Sequence, residues 1–124
     1  MAEPETRKAS ILIVEDEVMI RMMVSDMLTD LGHSVAGEAG EIEEAIRLAE
    51  TAAFDLAILD VNVNGQPITP VAEVIERRKL PLLFSTGYSL DALPENYRSR
   101  PALQKPFRID TLQHAIVAAL RTGA

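Results

Sequence analysis

Four apolar segments without polar alternation constrain the fold of this 124-residue chain more than any other sequence feature. Three of them read ILIVE at 11–15, FDLAILD at 54–60 and LPLLFST at 80–86, and a shorter candidate spans 102–104. A strand with one face in water alternates apolar and polar residues, whereas a strand buried on both faces is apolar almost throughout. The pattern therefore predicts a sheet that is covered on both sides.

Apolar residues at helical spacing separate these segments. The predicted helices lie near 19–31, 41–52, 70–79 and 108–121, with a weak strand at 33–37. Thr69 and Pro70 suit the cap and the first turn of the third helix, and Gly32 suits the end of the first. Strands that alternate with helices predict an α/β fold, namely a single doubly wound domain with a central parallel five-stranded sheet.

The segment at 88–100 carries the weakest pattern in the chain. Its sequence, YSLDALPENYRSR, holds few apolar residues, and Pro94 interrupts it. Because proline breaks a helix interior and short helices are marginal, we expect the fourth helix of the domain to be short or poorly ordered.

The helical patterns also predict where individual side chains lie. We expect the methionines of the first helix to pack mainly in the core, with some surplus at the surface, and Ile109 in the last helix to face inward. His33 follows a helix-ending glycine and is expected in a solvated turn. His114 is expected on the polar side of the last helix, and neither histidine suggests a metal pair.

Composition excludes several classes of function. The net charge of −7 argues against non-specific nucleic-acid binding, and a chain without cysteine has no disulfides or thiolate metal sites. No apolar run approaches the ~20 residues of a membrane span. Residues 1–9 are polar and lack the apolar core of a signal peptide. We expect a solvated tail at 1–9, one cytoplasmic domain at 10–122 without an output domain, and no membrane contact.

Polar side chains lie at the ends of the predicted apolar strands. The first strand ends in Glu15 and Asp16, the next two end in Asp60 and Thr86, and Lys105 follows the last. The carboxyl ends of parallel strands share one edge of a sheet, so these side chains should converge. Crowded carboxylates repel one another, and Mg²⁺ with oxygen ligands relieves that repulsion. A carboxylate nucleophile, a metal site and donors for phosphoryl oxygens are the parts that phosphoryl transfer requires.

The motifs VED, ILD, ST and KPF, in this order and at these strand ends, resemble those of response-regulator receiver domains. The resemblance covers nearly the whole chain after Ser10 and implies a (βα)5 flavodoxin-like fold. It implies that Asp60 accepts a phosphoryl group from a histidine kinase or histidine phosphotransfer protein in a Mg²⁺-dependent reaction. The implied output is contact between this domain, as a monomer or weak dimer, and an unknown downstream protein. Such a domain is not an enzyme, although it assists its own phosphotransfer and autodephosphorylation.

The same resemblance implies a role for each matching residue. The implied metal ligands are Glu15, Asp16, Asp60 and Asn62, the last through its backbone carbonyl. Asp16 would bind Mg²⁺ directly and Glu15 through water. Thr86 would hydrogen-bond the phosphoryl group and Lys105 would pair with it. Lys105–Pro106 resembles a peptide bond that is often cis in the family, and X–Pro bonds permit that isomer at low cost.

A subfamily of mostly stand-alone alphaproteobacterial regulators, called FAT GUY, offers a closer resemblance. LLFSTGYS at 82–89 is similar to its Phe-Ala-Thr-Gly-Tyr stretch, with Ser85 where alanine is usual, and NGQP at 64–67 is also similar. Ala102 stands where many receivers carry an aromatic switch residue, so Phe84 or Tyr88 would have to substitute. Tyr88 matches a position that gates the attacking water, which implies slow hydrolysis.

Several other interpretations start from the same residues. The stretch from Asp60 to Gly65 resembles the opening of an EF-hand loop, but Val71 stands where that loop needs glutamate. A phosphatase of the haloacid-dehalogenase type needs a second aspartate where Asn62 stands. The glycine motifs of nucleotide-binding folds are absent. Two alternatives to a phosphorylated switch stay open: a phosphate sink and a phosphorylation-independent adaptor, or pseudo-receiver.

Overall fold

The structure, a computed structural model, describes residues 8–87, 97 and 102–122. In chain order its elements are β1 (Ser10–Val14), α1 (Val18–Asp30), β2 (Ser34–Ala39), α2 (Ile42–Thr51), β3 (Leu56–Asp60), β4 (Asn62–Val63), β5 (Gln66–Pro67), α3 (Thr69–Arg77), β6 (Leu82–Thr86), β7 (Ala102–Gln104) and α4 (Ile109–Thr122). Within these ranges, no helix is both long enough and apolar enough to span a bilayer. The predicted fourth helix, Tyr88 and residues 1–7 lie outside the described residues.

Five parallel strands form the central sheet, in the order β2-β1-β3-β6-β7. The predicted α/β fold with a parallel five-stranded sheet is therefore confirmed. The chain runs from β1 outward to β2 and then returns to β3 on the other side of β1. A reversal of this kind opens a crevice at the carboxyl ends of the two central strands, where ligands of doubly wound folds bind.

Burial on both faces explains why the central strands lack polar alternation. Successive side chains of a strand point to opposite faces. Leu12 and Val14 of β1 belong to the core that includes buried residues of α2 and α3, whereas Ile11 and Ile13 belong to the core that includes buried residues of α1 and α4. Every residue of β3 is buried, Asp60 included. Helices therefore cover both faces of the sheet, as the sequence predicted.

The surface of α1 differs from the prediction. Met19 is 83% exposed and Met22 59%, so the expectation that the methionines of this helix pack mainly in the core is wrong. Val24 and Leu28, one turn apart, are its buried residues. Only one stripe of a helix can face the sheet, and apolar residues outside that stripe stay in contact with solvent.

Two predictions at helix starts are also corrected. Ile109, expected to face inward, is 37% exposed, and the buried stripe of α4 begins one turn later at Leu112. Thr69 was expected to cap α3 but is its first residue. The carbonyl of Ile68 accepts hydrogen bonds from the N–H groups of Val71 and Ala72, at 2.9 and 3.1 Å, so this residue begins the helix instead.

His33 is buried, which contradicts the expected solvated turn. It is 6% exposed, its Nδ1 lies 3.1 Å from the backbone nitrogen of Ala9, and its Nε2 lies 3.0 Å from Oε1 of Gln113. The Ala9 N–H is a donor, so Nδ1 accepts and Nε2 carries the hydrogen that is donated to Gln113. Ala9 is only 3% exposed and belongs to the core, although it was expected in the solvated tail. His114 is exposed, as predicted.

His33→Ala should lower the free energy of unfolding by about 1–3 kcal/mol, because it leaves the buried Ala9 N–H without its acceptor. Urea unfolding followed by circular dichroism measures the change. The matched control is His114→Ala on the exposed side of α4, which should stay within about 0.5 kcal/mol of wild type. Equal losses in the two variants would contradict the structural role assigned to His33.

Candidate functional site

Parallel pairing brings the predicted site residues to one edge of the sheet. Asp60 is the last residue of β3 and pairs in register with Ser85 of β6, one residue before Thr86. The N–H of Val61 donates to the Ser85 carbonyl at 3.1 Å, and the N–H of Lys105 donates to the Thr86 carbonyl at 2.6 Å. These bonds continue the strand pairing into the loops and fix the backbone positions from which the loop side chains project.

Three carboxylates form a cluster at this edge. Glu15, Asp16 and Asp60 each offer an oxygen within 4.8 Å of the others. Glu15 and Asp60 are buried, and Asp16 is half-buried. The Glu15 carboxylate also accepts a hydrogen bond from the backbone N–H of Glu17 at 3.1 Å. Sequence reasoning predicted that these three acids converge, and the structure places them together.

The ammonium group of Lys105 lies between two of the three acids. Its Nζ is 3.0 Å from Oε1 of Glu15 and 3.4 Å from Oδ2 of Asp60. The side chain of Lys105 is itself mostly buried, so both ion pairs are shielded from bulk water and interact more strongly than surface pairs. The Lys105–Pro106 peptide bond is cis, the isomer that the resemblance implied.

One ammonium group does not offset the charge of three clustered acids. Burial raises the pKa of Glu15 to about 7, against the lowering effect of its bond to Lys105. Burial likewise raises the pKa of Asp60, although Lys105 and the N–H of Asn62 act in the other direction. The pKa of Lys105 is raised, because the two acids outweigh the effect of its burial. A further positive charge would stabilise the ionised form of Glu15 and Asp60.

The donor set fits a hard divalent cation. Carboxylate oxygens at this spacing suit Mg²⁺, which binds one or two carboxylates and completes its shell with water and phosphate oxygens. A cavity of about 600 Å³ opens beside the acids, and Asp16, Asp60, Asn62, Gly87 and Lys105 line it. Asn62, the implied carbonyl ligand, therefore faces the same space as the acids. There is room in the cavity for a cation, water and a phosphoryl group.

Thr86 reaches the same edge but is completely buried, one residue before Gly87 of the cavity lining. Phe84, two residues earlier in β6, pairs in register with Ala102 of β7. Its ring lies 5.1 Å from that of Tyr97, with a 46° tilt, and Tyr97 donates a hydrogen bond to Glu76 of α3. Sequence reasoning named Phe84 and Tyr88 as candidates for the missing aromatic at Ala102 and overlooked Tyr97, whose contact needs tertiary structure to be seen.

The segment between β3 and α3, for which the sequence predicted no strand, forms a hairpin that also borders the site. β4 and β5 pair antiparallel, and Asn64 and Gly65 between them have φ values of 54° and 79°. Asn-Gly is the strongest sequence signal for a two-residue hairpin turn of this kind. The backbone N–H of Asn64 donates to Oδ2 of Asp16 at 2.9 Å. Burial alone would raise the pKa of Asp16, but this bond and others lower it.

Metal-free protein should lose stability as the pH rises from about 5 to 8, in part because of Glu15. Its folded-state pKa of about 7 lies above the ordinary value of 4.5, so in this window the folded state keeps a proton that the unfolded chain releases. Its stabilising contribution is complete below the ordinary value and is lost as the pH passes about 7. Glu15→Gln should flatten the decline by roughly 1–3 kcal/mol, measured by urea unfolding in EDTA at each pH.

The control for this measurement is Glu50→Gln, a charge-removing change on the exposed side of α2. It should leave the slope of unfolding free energy against pH as it is in wild type. A Glu15→Gln variant that keeps the full wild-type slope would show that the proton is held elsewhere.

Comparison with known proteins gives curated relatives and solved structures. The chain is 39% identical over 114 residues to the transcriptional regulatory protein PdtaR of Mycobacterium tuberculosis, and this covers 89% of the chain and 56% of PdtaR. The chain therefore spans about half the length of that relative.

Among solved structures, the solution structure of SdrG from Sphingomonas melonis Fr1 is 43% identical, with a TM-score of 0.82, and the match covers 91% of this chain and 96% of SdrG. A BeF3-activated conformation of SdrG, from Pseudomonas melonis Fr1, is 40% identical with a TM-score of 0.78, covering 97% and 99% of the two chains. The response regulator PhyR from Brucella abortus is 29% identical with a TM-score of 0.82, covering 95% of this chain and 51% of PhyR.

A family model agrees with these similarities and with the geometry of the site. The model that describes the response regulator receiver domain matches residues 11–117, which include every predicted site residue. The chain belongs to the response regulator receiver domain family.

Proposed function

We propose that this chain acts as a single-domain response regulator and that Asp60 is its phosphoacceptor. The observation that carries the proposal is the contact of Lys105 with both Glu15 and Asp60 beside an open cavity. Asp60 is the acid at the end of the central strand β3, at the edge where ligands of this fold class bind. The 43% identity to SdrG and the TM-score of 0.82 support a shared regulator role for the two domains.

In the proposed reaction, a carboxylate oxygen of Asp60 attacks the phosphorus atom of a phosphohistidine on a histidine kinase or histidine phosphotransfer protein. A P–O bond to Asp60 forms as the P–N bond breaks, and the electron pair of that bond returns to the imidazole nitrogen. Later attack by water on phosphorus releases inorganic phosphate and restores Asp60, which is the autodephosphorylation that the domain assists. Asp60 must be ionised to attack, and the positive charge of Lys105 favours that form.

The other site residues would take the roles that the family resemblance implies. Asp16, Glu15, Asp60 and the Asn62 carbonyl would hold Mg²⁺, with Glu15 acting through water. Bound Mg²⁺ would offset the charge of the acids and of the phosphoryl oxygens. Lys105, 3.4 Å from Asp60, would move from carboxylate to phosphoryl oxygen, and the Thr86 hydroxyl would hydrogen-bond another. SdrG, which is 40% identical to this chain, has a BeF3-activated conformation, and this supports an activated state in the present domain as well.

Membership of the FAT GUY subfamily, and with it a stand-alone cytoplasmic role, is part of the proposal. Phe84 and Thr86 match its motif within the described strand β6, and Gly65 in the hairpin turn belongs to its second similar stretch. With Ala102 in place of the usual aromatic, Phe84 against Tyr97 becomes a candidate for the side chains that respond to phosphorylation. The downstream partner would be a protein, since the net charge of −7 does not suit nucleic acid.

The exposed face of α1 supports a protein as the phosphodonor. Met19 and Met22 project into solvent, while Met23 on the same helix lines the cavity. Methionine side chains are flexible and adapt to apolar partner surfaces. A partner helix that carries a phosphohistidine could rest on this face and present its phosphoryl group to Asp60.

The first test is intact-protein mass after incubation with acetyl phosphate, with and without Mg²⁺. Wild type should gain one phosphoryl group only with Mg²⁺, and Asp60→Asn should gain none, because the amide cannot act as the nucleophile. Lys105→Gln should give a lower yield at equal Mg²⁺. Absence of any adduct on folded wild-type protein would favour the phosphorylation-independent adaptor, which should keep its partner binding in Asp60→Asn.

A second test separates docking from chemistry. The double variant Met19→Gln/Met22→Gln should accept phosphoryl groups from acetyl phosphate at the wild-type rate, because a small donor needs no docking surface. Its rate with a kinase that phosphorylates wild type should fall about tenfold, by loss of two exposed apolar contacts. The control is Val117→Gln, a half-exposed apolar position on α4. A double variant as active as wild type with the kinase would contradict the role of α1.

A further inference from the structure

The Asn64–Gly65 turn joins the loops that follow three neighbouring strands. Asn64 lies in the loop after β3, its backbone N–H donates to Asp16 in the loop after β1, and its side-chain Nδ2 donates to the carbonyl of Gly40 after β2, at 3.1 Å. One residue thus reaches across the carboxyl edge of β3, β1 and β2. Of the three acids in the cluster, Asp16 is the one that this residue contacts.

The turn that places the Asn64 N–H depends on two residues in the left-handed conformation. Asn64 and Gly65 both have positive φ, and asparagine and glycine tolerate this conformation better than other residues. The hairpin has a firm base, because Val63 is completely buried and the N–H of Ile68 donates to the Val61 carbonyl at 3.1 Å. The turn is therefore held in place relative to the sheet, and its N–H points at a fixed position.

We propose that Asn64 is a positioning residue of the metal site. Its backbone N–H, presented by a residue in the left-handed conformation, holds one oxygen of the Asp16 carboxylate. This inference rests on the proposed function, since it takes Asp16 as a Mg²⁺ ligand. Lys105 contacts Glu15 and Asp60, and the N–H of Asn64 donates to Asp16, so each of the three acids has a hydrogen-bond partner in this structure.

Fixing Asp16 matters because it belongs to a loop and is only half-buried. A carboxylate on a loop samples several rotamers, and a cation that binds it must first select one of them. Hydrogen-bond partners behind metal ligands remove that cost, and their loss weakens metal affinity about 10- to 100-fold. The bond from Asn64 to Asp16 comes from the backbone, so the identity of the side chain affects this particular bond mainly through the φ value that it permits.

The test is a titration of metal-free protein with Mg²⁺, in which binding is measured by calorimetry and by changes in NMR amide shifts. Asn64→Val should weaken Mg²⁺ binding about tenfold, because a β-branched residue rarely adopts positive φ. Asn64→Gly keeps the N–H and adopts positive φ freely, so its dissociation constant should stay within about twofold of wild type. Gly37→Ala in β2 is the control, since its added Cβ meets only ordinary contacts with Leu12 and Leu48.

A second readout separates positioning from general damage to the fold. The rate of phosphorylation by acetyl phosphate should fall in Asn64→Val at low Mg²⁺ and return close to the wild-type rate at saturating Mg²⁺. A merely structural defect would lower the rate at every Mg²⁺ concentration. In Gly65→Ala, whose Cβ meets nothing within 4 Å, only the positive φ is disfavoured, and Mg²⁺ binding should weaken about threefold or more.

Two outcomes overturn this inference while the proposed function stands. In the first, Asn64→Val binds Mg²⁺ with a dissociation constant within twofold of wild type. In the second, Asn64→Gly loses as much Mg²⁺ affinity as Asn64→Val does. Wild-type protein that binds no Mg²⁺ overturns both the inference and the metal-dependent function. The titration of wild type is therefore done first, and it distinguishes the two failures.

Discussion

The contact of one ammonium group with two buried carboxylates is the interaction on which the site depends. Lys105 is 90 residues from Glu15 and 45 residues from Asp60 in the sequence. Only the parallel pairing of neighbouring strands brings the three side chains together. Two buried acids side by side are costly, and Lys105 offsets part of that cost. What it leaves uncompensated appears as the raised pKa values of both acids. The cluster can therefore form in the folded protein, and the negative charge that Lys105 does not offset still attracts cations.

The loops around this cluster are held by backbone geometry as much as by side chains. Strand pairing continues past Asp60 and Thr86 through the bonds of Val61 and Lys105. The hairpin after β3 then turns back over the edge and reaches Asp16. Catalytic and binding residues on loops need such support, because loops otherwise sample many conformations. Here the support comes from a two-residue turn whose φ values restrict the choice of residue.

Among the described residues, the exposed large apolar side chains lie on α1, apart from Ile109 at the start of α4. The stripe of α1 that contains Val24 and Leu28 belongs to the core beneath the sheet, whereas Met19 and Met22 contribute nothing to it. Exposed apolar side chains near a polar cavity do not stabilise a monomer, since their burial requires a second molecule. In the proposed function these exposed side chains would contact a partner, whereas Val24 and Leu28 maintain the fold.

Much of the fold could be predicted because local signals agree with it. Apolar strands at 11–15, 54–60 and 80–86 and the helical patterns between them are sufficient to predict a parallel sheet covered on both sides, and strand ends alone predicted the convergence of Glu15, Asp16, Asp60 and Lys105. Errors arose where a residue's environment depends on distant segments. His33 has the sequence context of a turn, yet Ala9 and Gln113 enclose it.

The sequence by itself determined the α/β class, the positions of the apolar strands along the chain and the identity of the charged groups at the strand ends. It could do so because periodicity and residue type are local properties. Tertiary structure alone decided which methionines of α1 stay in solvent, that Tyr97 packs on Phe84, and that Asn64 holds Asp16. These contacts depend on the distance between segments far apart in the chain. No local pattern records such distances, since they follow from how helices and loops pack over the finished sheet.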